Sequence, residues 1–189
     1  MVEQVTKVTH ASHLVASILL AFSADPVVRW LFPDPDDYLR SLGAIARIHA
    51  DRTAEIGGAY GLTDGRGAAF WYIPGESPPA DLLGPVFADA GMLDKMQAVF
   101  AESARFEPQE PHWYLRQIGI DPTLQGTGLG GVLLEAAYTE IDAVGSTAYL
   151  EATSARGRNF YAAHGFEVLG EFTAAGSPPL WAMARMPNR

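Results

Sequence analysis

The sequence contains no cysteine. Without a thiol, the chain can form no disulfide framework, no thiolate zinc site and no cysteinyl covalent intermediate. Chains that lack cysteine are typical of reducing compartments, so we expect a cytoplasmic protein.

Positive charge is also scarce. Lys7 and Lys95 are the two lysines of the chain, and 13 basic residues stand against 22 acidic ones, which gives a formal net charge of −9. Binding to nucleic acid needs a basic surface that replaces the counterions of the phosphates, so no nucleic-acid partner is expected. An acidic chain favours a cationic partner, such as a small molecule that carries an amine.

Long hydrophobic runs are missing as well, and no segment reaches the roughly 18 apolar residues that a membrane span needs, so no membrane partner is expected. The nine residues 14–22 (LVASILLAF) have the length of a signal-peptide core. We interpret them instead as the buried face of a helix that starts near Ser12 and ends before Asp25. With 48% hydrophobic residues in 189, the chain is predicted to form a single globular domain, residues 1–189.

The hydrophobic pattern predicts alternating strands and helices. Expected strands lie at 2–9, 53–62, 68–73, 113–120, 147–151, 166–173 and 179–186. Expected helices lie at 12–22, 38–52, 128–143 and 155–164, with two short ones within 81–103. The helix at 128–143 is predicted to bury Leu129, Val132, Leu133 and Ala136 on one face.

A glycine-rich loop at 125–131 (QGTGLGG) lies between a predicted strand and a predicted helix. Free backbone N–H groups and the positive end of a helix dipole make such a loop a phosphate site, although glycines can also serve tight packing. The spacing of Gly126, Gly128 and Gly131 also satisfies a dinucleotide fingerprint, with Glu151 as the acid that binds ribose. That alternative, a nucleotide-dependent oxidoreductase, is disfavoured because five residues separate the strand from the first glycine and 38 residues follow Glu151.

Three motifs together resemble the GNAT N-acetyltransferases. They are IGIDP at 118–122, QxxGxG at 125–130, and AYLE at 148–151 followed by FYxxHGF at 160–166. Over residues 112–186 the pattern is most similar to the puromycin N-acetyltransferase branch of that superfamily.

The resemblance implies an α/β (α+β) fold with a central mixed, mostly antiparallel sheet of about seven strands, flanked by helices and splayed at the cofactor site. It implies acetyl-coenzyme A (acetyl-CoA) as acyl donor and no metal. The residues implied in binding this cofactor are Ile118, Gly119, Ile120, Gln125, Gly126, Thr127, Gly128, Leu129 and Gly130. Because Thr127 stands where many members have Lys or Arg, we expect backbone amides and the helix terminus to bind the pyrophosphate, with an arginine such as Arg156 or Arg158 as a further positive charge.

Acyl transfer from a thioester to an amine needs a base for the ammonium and an acid for the departing thiolate. We interpret Glu151 as the base, acting directly or through a water, although a carboxylate paired with Arg156 or Arg158 would look the same. The resemblance places Tyr161 as the acid, with a packing role beside Phe160 as the alternative. A backbone N–H near 118–120 would polarise the carbonyl.

Because no cysteinyl acyl-enzyme can form, the expected reaction is direct attack by a primary amine of a small molecule in a ternary complex. The alternative is a non-catalytic module that binds or senses acyl-CoA. Aromatic residues that could line an acceptor pocket, or belong to the core, are Trp30, Phe32, Trp71 and Tyr72. The five histidines lack metal-ligand spacing, apart from His10 and His13 across a predicted strand–helix junction.

Overall fold

A seven-stranded sheet runs through the computed structural model, which describes residues 5–188. Its strands are β1 Val5–Lys7, β2 Ala59–Leu62, β3 Gly67–Tyr72, β4 Trp113–Ile120, β5 Ala148–Ala152, β6 Glu167–Phe172 and β7 Leu180–Arg185. The first predicted strand covered 2–9, of which residues 2–4 lie outside the described part of the chain.

The order of the strands is β1-β2-β3-β4-β5-β7-β6, and every neighbouring pair is antiparallel except β4 and β5. This parallel pair is joined at two positions, Trp113 opposite Ala148 and Tyr114 opposite Tyr149. Beyond them, β4 runs on to Ile120 paired with β3 alone. The predicted sheet and its splayed strand are therefore confirmed.

Helices cover the sheet on both faces. They are α1 Val15–Ala21, α2 Pro26–Leu31, α3 Pro35–Asp37, α4 Gly43–Glu55, α5 Ala80–Asp89, α6 Leu93–Ser103, α7 Leu129–Ala143 and α8 Ala155–Ala163, with a π-helical turn at Tyr38–Leu42 before α4. Within residues 5–188, none of the helices combines the length and the apolar character needed to cross a membrane.

Two features of the N-terminal half were predicted incorrectly. α4 extends to Glu55, so the strand predicted at 53–62 begins only at Ala59. α2 and α3 were not predicted, and Asp25-Pro26 was interpreted only as the end of the preceding helix. In both helices an aspartate caps the N-terminus and a proline takes the first position, where its missing N–H costs nothing.

Residues of β3 alternate between the two layers of the core. Ala68 and Phe70 pack with α1 and α4, whereas Ala69 and Trp71 pack with α7.

The buried face of α7 differs from the prediction, since Val132 is 39% exposed. The residues of α7 with no exposure are Leu133, Leu134, Ala137 and Ile141. Continued towards the C-terminus, the predicted face of α7 would include the polar residues Thr139 and Glu140. The observed face remains apolar up to the last turn of the helix.

Candidate active site

The splay between β4 and β5 opens a cleft of about 690 Å³. Its walls are the end of β4, the glycine-rich loop, α8 and residues 20–26. Among the predicted cofactor-binding residues, those that line the cleft are Ile118, Gly119, Ile120, Gln125, Gly126, Gly128 and Gly130. The other two are turned away: the Thr127 hydroxyl donates to the Leu124 carbonyl at 2.6 Å, and the Leu129 side chain packs against the core.

Close packing at Gly119 forms the floor of this cleft. A Cβ atom added at Gly119 would lie 2.7 Å from the Cβ atom of Ala21, in α1. The glycine therefore lets β4 approach α1 closely, and a side chain here would push the two elements apart.

The glycine-rich loop exposes a row of backbone donors. From Gly126 to Gly130, the N–H groups make no hydrogen bond within the described residues. Gly126 and Gly128 have φ values of +81° and +91°, and no atom lies within 4 Å of where their Cβ atoms would stand. Gly128 is also the N-cap residue of α7, which adds the positive end of a 15-residue helix. With Arg156 in the same wall, the charges and donors of this loop would suit an anion such as a pyrophosphate.

Tyr161 lies on α8, where the cleft meets a second cavity. Its ring packs against Phe160 and Phe166, with centroid distances of 5.2 and 5.9 Å. Burial raises the pKa of the Tyr161 hydroxyl well above its ordinary value, and the negative charge of Asp25 adds to the shift. The hydroxyl therefore keeps its proton at neutral pH.

The second cavity, which we call the chamber, has a volume of about 120 Å³. Its wall is mostly apolar and comes from α2, α4, α5, α6 and the inner strands. Polar residues of the wall are His49, Ser103, Arg116, Gln117, Glu151 and Thr153. Phe32 lines the chamber, whereas Trp71 and Tyr72 are fully buried and are not part of its wall. Trp30 stacks under the Lys95 ammonium at 4.9 Å.

Glu151 stands in the wall of the chamber and is held by three side chains. The Tyr114 hydroxyl donates to Oε2 at 2.7 Å, the Ser103 hydroxyl donates to Oε1, and Arg116 Nη1 lies 3.8 Å from Oε2. The alternative partners expected from the sequence were wrong. Glu151 faces β4 and α6, while the two arginines lie on α8: Arg158 stacks on the Trp181 ring at 5.1 Å and Arg156 lines the cleft.

A third cavity, the outer groove, also has Glu151 in its wall and has a volume of about 830 Å³. Its walls are α5, α6 and residues 75–78 and 107–112. The lining holds the carboxylates of Glu76, Glu107, Glu110 and Glu151 and no lysine or arginine. The cleft and the chamber share Tyr161 in their walls, and the chamber and the groove share Glu151; we call this row of three adjoining cavities the passage.

Two polar residues of this passage escaped sequence analysis. Asp25 caps α2 and accepts a hydrogen bond from the Thr153 hydroxyl. Burial raises the pKa of the Asp25 carboxyl, and this effect is larger than that of the hydrogen bonds, which lower the pKa. Arg116 stands at a bulge, since the register passes from Phe70 opposite Gln117 to Trp71 opposite Leu115. Burial lowers the pKa of the Arg116 guanidinium, but its interactions with Tyr114 and Glu151 have the larger effect, and the pKa is raised. The sequence does contain a signal for Asp25, because Asp followed by Pro is typical of a helix N-terminus. No sequence pattern indicates the β-bulge at Arg116.

The sequence and the structure were compared with known protein families and with solved structures. Residues 93–168 match the model of the acetyltransferase (GNAT) domain. A solved structure from Corynebacterium glutamicum, described as histone acetyltransferase HPA2 and related acetyltransferase, superposes with a TM-score of 0.73 at 27% identity, over 98% of this chain and 97% of that one. The chain has the GNAT fold. Arylalkylamine N-acetyltransferase 2 from Aedes aegypti shares it, with a TM-score of 0.68 at 15% identity over 98% and 99% of the two chains.

A polyamine N-acetyltransferase from Drosophila melanogaster, described as forming N-acetylagmatine, shares the GNAT fold with a TM-score of 0.59 at 14% identity, over 97% and 99% of the two chains. The domain match and these neighbours support an acyltransferase enzyme. GNAT acetyltransferases use acetyl-CoA, and the free amides at 126–130 fit the pyrophosphate of such a molecule. Among residues 5–188, no group of three His, Asp or Glu side chains is placed to hold a metal ion.

Proposed function

We propose that this chain transfers the acetyl group of acetyl-CoA to a primary amine of a small molecule, by direct attack in a ternary complex. One observation carries the proposal: the glycine-rich cleft, the chamber and the acidic groove adjoin, with a protonated phenol in the wall of cleft and chamber and a carboxylate in the wall of chamber and groove. An acid and a base on opposite sides of a small chamber are what aminolysis of a thioester needs.

Glu151 is the general base in this proposal. An alkyl ammonium has a pKa near ~10.4 and must lose a proton before it can attack. An amine that enters along the outer groove passes Glu151 on its way to the cleft. The carboxylate accepts hydrogen bonds from Tyr114 and Ser103 and can take the proton directly or through a water.

Tyr161 is the general acid, and β4 supplies the carbonyl-polarising donor. Acetyl-CoA brings a thioester, whose sulfur leaves as a thiolate. The Tyr161 hydroxyl lies at the junction of cleft and chamber with its proton still bound, so it can protonate that sulfur. Beyond Tyr114, β4 is no longer paired with β5, so the backbone N–H groups of β4 that point away from β3 have no partner strand. One of these groups near Ile118 can donate to the carbonyl oxygen of the thioester.

The acceptor is proposed to enter as a cation. Of the four carboxylates of the outer groove, Glu76 is paired with Arg52 and Glu151 with Arg116, so the attraction for an ammonium comes from Glu107 and Glu110, to which the net charge of −9 adds. The names of the arylalkylamine and polyamine N-acetyltransferases agree with an amine as acceptor class. The similarity to the puromycin branch and the cytoplasmic location stay predictions from the sequence.

The test is release of free thiol from acetyl-CoA over a panel of primary amines, with mass spectrometry of the amine product. We expect thiol and N-acetylated amine in equal amounts, and no acetyl group left on the protein. Calorimetric binding of acetyl-CoA without turnover of any amine would instead favour a non-catalytic acyl-CoA-binding module. Saturable binding of NADH would favour the oxidoreductase alternative.

A further inference from the structure

Arg116 and Glu151 share the wall of the chamber, one on β4 and the other on β5. Arg116 Nη1 lies 3.8 Å from Glu151 Oε2, and the two side chains are 20% and 11% exposed, so little water separates their charges. Among residues 5–188, Arg116 is the one lysine or arginine in the walls of the chamber and the outer groove. In these walls, the positive charge beside Glu151 is therefore that of Arg116.

The Tyr114 hydroxyl connects the two charged groups. A guanidinium only donates hydrogen bonds, so Arg116 Nη1 donates to the Tyr114 oxygen, at 2.9 Å. The hydroxyl hydrogen of Tyr114 is in turn donated to Glu151 Oε2, at 2.7 Å. Both bonds run in the same direction, from the guanidinium to the carboxylate. Such a row favours the ionised carboxylate, because in that form both of its oxygens accept hydrogen bonds.

The backbone of β4 brings Arg116 to this place. The register against β3 passes from Phe70 opposite Gln117 to Trp71 opposite Leu115, so Arg116 has no residue opposite it. A bulge of this kind changes the direction in which a side chain points. The guanidinium lies 5.7 Å from the centre of the Phe100 ring and 5.8 Å from that of Tyr114, and these two aromatic contacts hold it beside Glu151.

The other titratable groups around Glu151 do not supply a positive charge to it. Those in the walls of the chamber and the groove, or in contact with Ser103, are Tyr149, Tyr161, His49, His112, Glu76, Glu107 and Glu110. Burial raises the pKa values of the two phenols, and burial and the charge of Arg116 lower the pKa of His49, so these three groups are neutral near pH 7. His112 Nε2 lies 3.5 Å from a carboxylate oxygen of Glu107.

A carboxylate in a mostly apolar wall needs an opposite charge, because burial by itself favours the neutral carboxyl, which cannot take up the proton of an ammonium. We propose that Arg116 is a positioning residue for the acetyl transfer: its charge keeps Glu151 ionised, and its hydrogen bond to Tyr114 directs the Tyr114 hydroxyl at Glu151 and so fixes the carboxylate. This inference rests on the proposed function and adds to it a residue that acts through the general base.

The test is the pH profile of kcat/KM for an accepted amine, measured by thiol release from pH 5 to 9 at saturating acetyl-CoA. Arg116→Met removes the charge and keeps an unbranched side chain. In this variant we expect the pH at which activity is lost on the acidic side to rise by about 1–3 units. Arg116→Lys keeps the charge, so its profile should stay close to that of the wild-type chain. The KM for acetyl-CoA should be unchanged in both variants, because Arg116 does not line the cleft.

Arg29→Met is the matched control. Arg29 is also a half-buried arginine beside a tyrosine ring, at 5.0 Å from Tyr38, but it lines none of the three cavities, so its profile should match that of the wild-type chain. Should Arg116→Met fail to fold, Arg116→Gln, which keeps an N–H donor and loses the charge, decides in its place.

The outcomes separate this inference from the proposed function. An acidic limb that stays in place in Arg116→Met, or that moves equally far in Arg116→Lys, overturns the role of the Arg116 charge and leaves the acetyl transfer standing. No thiol release by the wild-type chain with any amine overturns the proposed function together with the inference.

Discussion

The Tyr114 hydroxyl donates a hydrogen bond to Glu151 Oε2 at 2.7 Å, just beyond the point where β4 and β5 stop pairing. A side-chain contact thus bridges the two strands where their backbone bonds end. It fixes the carboxylate at the mouth of the splay, between the chamber and the outer groove. In the proposed reaction, this carboxylate would accept the proton of the incoming ammonium.

Replacement of Glu151 by glutamine removes this acceptor while keeping the shape of the side chain. We expect kcat/KM for the amine to fall by roughly 10²-fold near pH 7. The loss should shrink as the pH rises towards ~10.4, because more of the amine is then already deprotonated. The measurement is the ratio of wild-type to variant kcat/KM, by thiol release, from pH 7 to 10.

Glu140→Gln is the matched control, since Glu140 also accepts a hydrogen bond from a tyrosine, Tyr60, at 2.9 Å and does not line the passage. Its kcat/KM should stay close to that of the wild-type chain. A Glu151→Gln variant whose loss is the same at every pH would contradict a base that acts on the ammonium.

The glycine-rich loop depends on left-handed backbone at Gly128, where φ is +91°. A Gly128→Ala variant would bear a strain of about 1–2 kcal/mol in this conformation, so the loop should leave it and lose the alignment of its free N–H groups. We expect the affinity for acetyl-CoA to fall by about tenfold, measured by calorimetry. Gly176→Ala carries the same strain in the turn between β6 and β7, at φ +78°, and should leave the affinity unchanged. Equal affinity in both variants would count against the loop as the pyrophosphate site.

His49 should make stability depend on pH. Its pKa is lowered in the folded chain, so below the unfolded value of about 6.5 the unfolded chain binds more protons and stability falls as the pH falls. Above that pH the stabilisation is fully present. The slope from this one group approaches about 1.4 kcal/mol per pH unit below pH 6.

Urea unfolding at pH 5.0 to 7.5 measures the effect. The curve of free energy against pH should be flatter for His49→Phe than for the wild-type chain, while His10→Asn, at an exposed position, should keep the wild-type slope. Parallel curves for all three proteins would show that His49 is not held neutral by the fold.

The parts of the site that could be predicted from sequence are those built from neighbouring residues. The glycine-rich loop, Glu151 and Tyr161 belong to a continuous strand–loop–helix pattern that resembles the GNAT motifs, and this resemblance indicates their place. His49 and Gln117 lie 68 positions apart on α4 and β4, and packing alone brings them to one chamber. The bulge at Arg116 further breaks the strict alternation on which a sequence-based assignment of strand faces depends.

The start of α2 shows a different limit. Asp25-Pro26 can end one helix or begin the next, because proline is excluded from helix interiors but favoured at the first position. The structure does both, with α1 ending at Ala21 and Asp25 capping α2. The same cap brings Asp25 to Thr153 at the cleft, so the missed helix and the missed polar residue have one cause.

The most direct test of the account is the turnover of acetyl-CoA in Tyr161→Phe. Tyr60→Phe is the control, since Tyr60 is also a tyrosine with a raised pKa but donates to Glu140, outside the passage. The account predicts that thiol release in the presence of an accepted amine falls by about 10²-fold or more in Tyr161→Phe and stays near the wild-type rate in Tyr60→Phe. An unchanged rate in Tyr161→Phe would contradict the role of its hydroxyl as the acid that protonates the departing thiolate.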